Sequence, residues 1–266
     1  LSLPSIVQVL ANTHEFAELP VRHNEEELNY ELSQALPWPV DMGALGSPHT
    51  KACLLLQAHF TRTSLPISDY VNDTKSVLDQ ALRVLNAMAD MAADEGLLQT
   101  TLNIMRVAQM IVSATIPGES ELMQLPGIDK QAASALERQG VGSLAALRGA
   151  RSLPQLPRKA GDALERLPIV RMRVLNQKDK AVTADADEVL SVELQYERKK
   201  HGKLITPHFA KPKECGFWLV LGEGAELLAL KRIVLSSSGT QKVELAFVTP
   251  LRTAELTLHL VADSVR

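Results

Sequence analysis

The sequence has few aromatic residues, only two cysteines and no large excess of charge of either sign. Phe, Trp and Tyr make up 4% of its 266 residues, which argues against a row of aromatic platforms for stacked bases. Cys53 and Cys215 lie far apart and form no pairing pattern, so we expect free thiols in a reducing compartment. Because the net charge is -3, there is no global basic field, and any contact with nucleic acid must be local.

Catalytic, metal and membrane signatures are also missing from the sequence. It contains no phosphate-binding GxxxxGK[ST] loop, no HExxH, no paired-cysteine zinc pattern and no GxSxG elbow. We therefore predict that this segment is not an enzyme and holds no cofactor or metal of its own. Its apolar runs are shorter than the roughly 20 residues that cross a bilayer, so no membrane partner is expected. The chain begins without a signal peptide or methionine, and we expect it to be cut from a longer protein.

Periodic patterns divide the chain into two helical parts and a strand part. Apolar residues at helical spacing predict an all-α bundle over 1–116, with a long helix at about 69–95. Short helices separated by glycine or proline predict a helix-hairpin-helix domain over 117–168. After Pro168 the period changes to two, and about seven strands predict an all-β, immunoglobulin-like (fibronectin-III-like) sandwich over 169–266. The predicted fold class is multidomain α+β.

Glycines mark two predicted turns. Gly222-Glu223-Gly224 is typical of a hairpin turn between two strands. In the hairpin domain, Leu125-Pro126-Gly127-Ile128 joins two short helices, and Gly127 would let the backbone approach a phosphate beside Lys130. Asp129 would instead cap the second helix and repel phosphate, which favours a structural role for the turn.

The long helix carries polar residues at spacings of three or four, opposite its apolar stripe. These residues are Asn72, Lys75, Asp79, Arg83, Asn86 and Asp90. By spacing alone the face is more typical of a solvated surface with weak ion pairs than of a track for a nucleic-acid strand. A basic run, Arg198, Lys199, Lys200 and Lys203, is expected at the tip of a hairpin; such a loop is usually solvated, but it could equally contact RNA phosphate, as could Lys211 and Lys213.

Four segments of the sequence are distinctive: LPVRHNEEELN at 19–29, SPHTKACLLLQAH at 47–59, DTKSVLDQALRVLNAM at 73–88 and KPKECGFWLVLGEGAELLALKR at 211–232. These segments resemble the Sec63 homology domain, which ends each helicase cassette of the large Ski-type DExH-box helicases. The sequence of these segments resembles the cointegrator-complex members of the family most and the spliceosomal Brr-type members less. The resemblance covers essentially the whole chain.

The resemblance implies a non-catalytic accessory module of an ATP-dependent helicase. Its long helix would correspond to the ratchet helix, with Lys75, Arg83 and Asn86 facing a single strand of RNA or DNA. Family members often carry tryptophan after the glycine that ends this helix, where this chain has Leu97. The resemblance also implies upstream motor domains that use ATP and Mg, other subunits of a cointegrator-type complex as partners, and a location in nucleus and cytoplasm. The alternative is a protein docking platform without nucleic-acid contact.

Overall fold

The structure, a computed structural model, describes residues 1–150, 156–175, 184–197, 203–211, 213–236, 240–251 and 255–265. The α-helices in these residues, α1 to α8, are Leu3–Ala11, Glu25–Gln34, Pro48–Thr61, Ser68–Asp94, Leu98–Ser113, Lys130–Arg138, Leu144–Gly149 and Arg158–Arg166. Short 3-10 helices are His14–Phe16, Met42–Ala44 and Glu121–Gln124. The strands, β1 to β6, are Val170–Val174, Asp187–Tyr196, Phe217–Glu223, Glu226–Ile233, Thr240–Val248 and Thr257–Ala262.

The long helix α4 is the structural axis of the amino-terminal part. It runs for 27 residues, against a predicted range of about 69–95, and buries one apolar stripe against α3 and α5. Gly96 follows the end of α4 and has a φ of +70°, a conformation that glycine adopts without steric cost. The stripe leaves the opposite face of α4 free of the helical core.

The same core continues into one of the sheets through β3. Every residue of β3 from Phe217 to Gly222 is buried, as expected for a strand covered on both faces. Trp218 and Val220 belong to the core of the helices, whereas Leu219 belongs to the core between the sheets. The side-chain amide of Gln109 on α5 also donates to the Ala262 carbonyl of β6 at 2.7 Å. One sheet is therefore packed directly on the helical bundle.

The predicted hairpin turn at 222–224 does join two paired strands, β3 and β4, but Gly222 itself lies inside strand β3. A Cβ atom at this position would lie 2.5 Å from Cδ2 of Leu98 on α5. The turn itself follows at Gly224, which has a φ of +57°. Behind it, the Leu227 amide donates to the Gly96 carbonyl at 2.8 Å. Glycine suits position 222 because a Cβ atom there would crowd the Leu98 side chain and lie 3.0 Å from the Glu226 carbonyl oxygen.

The strands form two antiparallel sheets, ordered β1-β2-β5 and β4-β3-β6. Val192 on β2 pairs with Val174 on β1 and with Val243 on β5. The mixed helical and sheet class is thus confirmed in this coarse form. The described residues contain six strands rather than about seven, and the immunoglobulin-like arrangement stays a prediction.

A second helical cluster, formed by α6, α7, α8 and the 3-10 helix before them, has its own apolar core. Arg62 at the end of α3 joins this cluster to the bundle. Its guanidinium donates to the carbonyls of Ala114 at 2.9 Å and Met123 at 2.6 Å. Arginine suits this junction because its fork of donors satisfies several carbonyls at once. The domain boundaries at 116 and 168 stay a prediction.

Candidate nucleic-acid interface

A buried group of charges holds the amino-terminal half of α4 against α2 and α3. The ammonium of Lys51 donates to Glu25 Oε2 at 2.5 Å, to Asp73 Oδ2 at 2.7 Å and to the Pro20 carbonyl at 2.7 Å. All three ammonium protons therefore have acceptors, although the side chain is 0% exposed. Arg22 closes the group from the surface, reaching Glu25 at 2.9 Å and Asp73 at 2.7 Å. We call Arg22, Glu25, Lys51 and Asp73 the Lys51 network.

Electrostatics in the Lys51 network favour the ionised state. Burial alone would raise the pKa of Glu25 and Asp73, but hydrogen bonds from Lys51 and Arg22 hold both pKa values below their ordinary range. The Lys51 nitrogen also lies 4.5 Å from the ring centroid of Tyr70, a cation–π contact. Burial raises the pKa of Tyr70, followed by the negative charges of the two carboxylates. Because every charge is paired, the network serves to fix α2, α3 and α4 in one arrangement.

The polar face of α4 points away from this network and from the core. Its exposed members are Asn72, Lys75, Asp79, Arg83 and Asp90, and Asn86 is half-buried. The predicted strand-facing residues Lys75, Arg83 and Asn86 therefore lie on one side of one helix. Their common face is set by the helical repeat, which brings residues three and four apart together.

Two cations from the strand part contact the acids of this face. Lys211, which precedes β3, pairs with Asp79 at 2.5 Å. Arg232 on β4 pairs with Asp90 at 2.9 Å and also donates to the backbone carbonyl of Asn86 at 2.7 Å. All four charged side chains are exposed, so each pair contributes only about 0–1 kcal/mol to stability. Their main effect is to neutralise the two acids that would repel a phosphate.

Lys75 and Arg83 are the cations of the face that remain available. In the described residues, Lys75 has no hydrogen-bond or ion-pair partner. The Arg83 guanidinium is 3.1 Å from Gln80 Oε1 and 3.5 Å from Glu15, and its side chain is 67% exposed. The Glu15 contact is long and both contacts are exposed to water, so the guanidinium can exchange them for a phosphate oxygen.

In the helix-hairpin-helix domain, the turn around Gly127 contacts other residues of the same domain. Gly127 has a φ of +75°, and a Cβ atom there would lie 3.5 Å from the ring of Pro157. The Asp129 side chain accepts from the Ala132 amide at 2.8 Å, which occupies one of the N–H groups a phosphate would need. Lys130 is exposed on the first turn of α6. This geometry favours the structural interpretation of the turn, and phosphate binding by Gly127 and Lys130 stays a prediction.

The basic run is only partly placed. Arg198, Lys199 and Lys200 lie outside the described residues, while Lys203 is exposed and its backbone carbonyl accepts a hydrogen bond from Arg166 at 3.4 Å. Lys213, also considered from the sequence, is paired with Asp263 at 2.8 Å. Among the described lysines of this set, Lys211 reaches the polar face through its pair with Asp79.

Sequence reasoning missed the Lys51 network and the two cations that cover α4. A signal for the network was present, because its four members lie in the strings 19–29, 47–59 and 73–88, which were singled out only for their resemblance. Arg232 had no local signal, since nothing in strand β4 indicates a helix 142 residues earlier in the chain. The pairing depends on tertiary structure alone.

Other chemistry finds no support in the part of the chain that the structure describes. No group of three His, Cys, Asp or Glu side chains there has metal-site geometry. Among the described residues neither cysteine forms a disulfide; both are buried, and burial raises the pKa of the Cys53 thiol. A helix long and apolar enough to span a membrane is likewise not found among the described residues.

Comparison with known proteins identifies the family. The Sec63 Brl domain family matches residues 1–265. The chain belongs to this family. It is similar to a DExH-box ATP-dependent RNA helicase, DExH14, of Arabidopsis thaliana, with 36% identity over 92% of this chain and 12% of that protein.

Two further relatives have the same relation to the chain. Activating signal cointegrator 1 complex subunit 3 of Gallus gallus is 32% identical over 99% of this chain and 15% of its own length. The human U5 small nuclear ribonucleoprotein 200 kDa helicase is 28% identical over 97% of this chain and 12% of its own length. The chain thus spans less than a sixth of each of these relatives, and the predicted resemblance to the cointegrator and spliceosomal members is confirmed.

Proposed function

We propose that this Sec63 domain is a non-catalytic accessory module of a larger ATP-dependent helicase, where it braces the motor domains and guides a single strand of RNA or DNA along the polar face of α4. The observation that supports guiding is the charge arrangement of that face. Asp79 and Asp90 are each matched by a cation, which leaves Lys75 and Arg83 to attract the backbone phosphates. With Lys211 and Arg232 the strip has four cations against three acids, Asp79, Asp90 and Glu15, so its charge is slightly positive although the chain is acidic overall.

The guiding role is also supported by how α4 is held. The Lys51 network fixes its amino-terminal half from one side, and Gly96 and the β3–β4 turn fix its carboxyl-terminal end from the other. A helix held at both ends keeps its exposed cations in constant register, which a strand moving past them requires. The positions of Lys75 and Arg83 are therefore set by elements that do not contact the strand.

The wider setting follows from the relatives and is part of the proposal. ATP and Mg would bind in motor domains of the same parent protein, outside this segment. One relative's name refers to a small nuclear ribonucleoprotein and another's to a cointegrator complex. We accordingly propose a nuclear role within a multi-subunit complex, with the cytoplasm as a further location.

The second candidate function is a docking platform for other proteins. It is favoured by apolar side chains on the surface of the strand part, among them Val234, which is 69% exposed, and Leu251, which is 80% exposed. This function needs no cation on α4. The two functions therefore differ in whether Lys75 and Arg83 matter.

The deciding experiment measures binding of a fluorescent single-stranded RNA to this chain at several salt concentrations. We expect the double change Lys75→Ala and Arg83→Ala to weaken binding and to reduce the salt slope by about 1.4, because each phosphate contact to a single strand contributes about 0.7. The matched control removes two exposed cations elsewhere, Arg106→Ala and Lys159→Ala. Equal losses from both pairs would show that only net charge matters, and the guiding role on α4 would be wrong.

The same variants in the full helicase test whether guiding contributes to unwinding. Both changes lie on an exposed face, so folding and ATP hydrolysis should be retained. We expect slower unwinding at an unchanged rate of ATP hydrolysis. Unchanged unwinding would favour the docking platform.

A further inference from the structure

A groove lies beside the polar face, between the amino-terminal half of α4 and the segment 207–211 that leads into β3. Its volume is about 530 Å³, within the roughly 300–1,000 Å³ typical of small-ligand sites. Leu65, Leu78 and Phe209 contribute to an apolar lining. Val71, also in the lining, is 44% exposed although it is apolar, so the groove presents an uncovered apolar surface to solvent.

Aromatic rings and cations line the same groove. His208 and Phe209 are neighbours along the segment that forms one wall. Lys75 and Lys211 also contribute to the lining, and Lys211 already neutralises Asp79. The groove thus combines an apolar lining, two aromatic rings and the unpaired ammonium of Lys75. This combination fits a ligand that has a planar ring at one end and an anionic group at the other. A nucleotide has this combination, because its base stacks and its phosphate pairs with the cation.

His59 is one of the residues that line the groove. Its Nε2 lies 2.8 Å from the Ile111 carbonyl, and because a carbonyl can only accept, Nε2 carries the proton. Burial lowers the pKa of His59 to about 4, so the ring is neutral near pH 7. Nδ1 is then an acceptor, and it has no partner among the residues that the structure describes. The exocyclic amino group of cytosine, adenine or guanine is a matching donor.

We propose that this groove binds one base of the single strand, turned out of the strand that passes along the polar face of α4. The inference rests on the proposed function and adds to it a base-binding site beside the phosphate contacts. Lys75 belongs to both, because it lines the groove and lies on the polar face. The base would stack in the wall formed by His208 and Phe209, and Lys75 would pair with the adjoining phosphate.

The test uses a single-stranded RNA of cytidines in which some positions carry 5-iodocytidine, a photoreactive base that keeps the amino group. After irradiation of the RNA bound to the chain, the labelled peptides are mapped by mass spectrometry. We expect the label on the segment 207–211. An abasic RNA of equal length should compete at least about 5-fold less well, since one stacked base contributes that much or more. His208→Ala should weaken binding to a similar degree. The control His23→Ala changes an exposed histidine just before α2 and should leave binding unchanged.

The outcomes separate this proposal from the proposed function. A label confined to 79–90, with abasic RNA competing equally well, would leave strand guiding in place and overturn the base site. A label in the groove that persists, at unchanged affinity, after Lys75→Ala and Arg83→Ala would support stacking of the base but overturn both guiding by the strip and the pairing of Lys75 with the adjoining phosphate. No salt-sensitive binding would overturn both. If the groove stays unlabelled while His208→Ala weakens association with the parent's motor domains, the groove is a protein contact and the base site is wrong.

Discussion

Helix α4 carries two sets of ion pairs with similar distances and different burial. On its inner side Asp73 meets Lys51 at 2.7 Å, and on its outer side Asp90 meets Arg232 at 2.9 Å. The Lys51 side chain is 0% exposed, whereas Arg232 and Asp90 are 44% and 54% exposed. Water and salt screen the outer pair but not the inner one. Burial, rather than distance, therefore decides which pair holds the fold and which remains free to exchange partners.

The difference has a functional consequence. Removing one member of a buried pair leaves an uncompensated charge in the core, so the inner set cannot change partners without loss of structure. An exposed pair costs little to open, and its cation can turn to a phosphate instead. One helix thus combines a fixed side with an exchangeable side, and the following predictions test that division from the largest expected effect to the smallest.

Replacing Lys51 by methionine should break the inner set. Methionine fills much of the lysine volume but leaves Glu25 and Asp73 without the ammonium, so we expect a loss of about 3–5 kcal/mol in the free energy of unfolding. Denaturant unfolding measures this loss. Lys75→Met, on the outer side of the same helix, is the matched control and should change stability by less than about 0.5 kcal/mol. A similar loss in the free energy of unfolding for both variants would show that the buried and exposed sides of α4 do not differ in this way.

His59 sharpens the comparison, because it is largely covered by protein and has no carboxylate partner in the described part of the chain. Burial holds its pKa at about 4 in the folded protein, below the ordinary value of 6.5. The unfolded chain then binds the proton more readily, so this contribution to stability is complete above pH 6.5 and is lost as the pH falls toward 4. Between pH 7 and pH 5 the free energy of unfolding should drop by about 2 kcal/mol more than in a His59→Gln variant. Parallel pH profiles for the two proteins, with His23→Gln as the exposed control, would contradict the assignment.

The outer pair should be weak and sensitive to salt. A double-mutant cycle of Asp90→Asn and Arg232→Gln is expected to give a coupling energy below about 1 kcal/mol, decreasing further in 1 M salt. Thermal or denaturant unfolding of the four proteins provides the measurement. A coupling energy above about 2 kcal/mol that does not change with salt concentration would mean that the outer pair stabilises the fold as the inner one does.

Removing the acids of the polar face should strengthen strand binding. With Asp79→Asn and Asp90→Asn, Lys211 and Arg232 lose their carboxylate partners and become available to phosphate, so we expect the affinity for single-stranded RNA to rise about 2- to 5-fold at low salt. The control, Asp162→Asn with Glu165→Gln on α8, removes the same charge from another exposed helix. An equal rise in the control would assign the effect to net charge alone.

Local sequence patterns predicted much of the helix and strand content, because amphipathic periodicity acts over a few neighbouring residues. The predicted long helix at about 69–95 corresponds to Ser68–Asp94, and the alternating run from Leu190 to Tyr196 lies within β2. The error at Gly222 has the same origin. A glycine pair is typical of a turn, and only the pairing of Gly222 with Thr257 on β6 reveals that the first of the two glycines lies inside a strand.

The sequence predicted which residues of the candidate site share one face of α4, but it did not predict which other residues contact that face. Helical spacing places Lys75, Arg83 and Asn86 together, since that geometry is a property of the helix alone. It cannot tell which acids are neutralised or which cations are left, because the partners come from 132 residues away for Lys211 and 142 for Arg232. The groove beside Lys75 is equally non-local, since its two walls come from α4 and from the segment before β3.

The sequence by itself determined the helical and strand segments, the polar face of α4 and, through its strings, the membership of the Sec63 Brl domain family. Tertiary structure alone decided which charges are buried and which are exposed, that β3 is shared between two cores, and that a groove opens beside Lys75. The physical reason is that periodicity is a short-range property of the backbone. Burial and ion pairing depend on which distant segments the folded chain brings together.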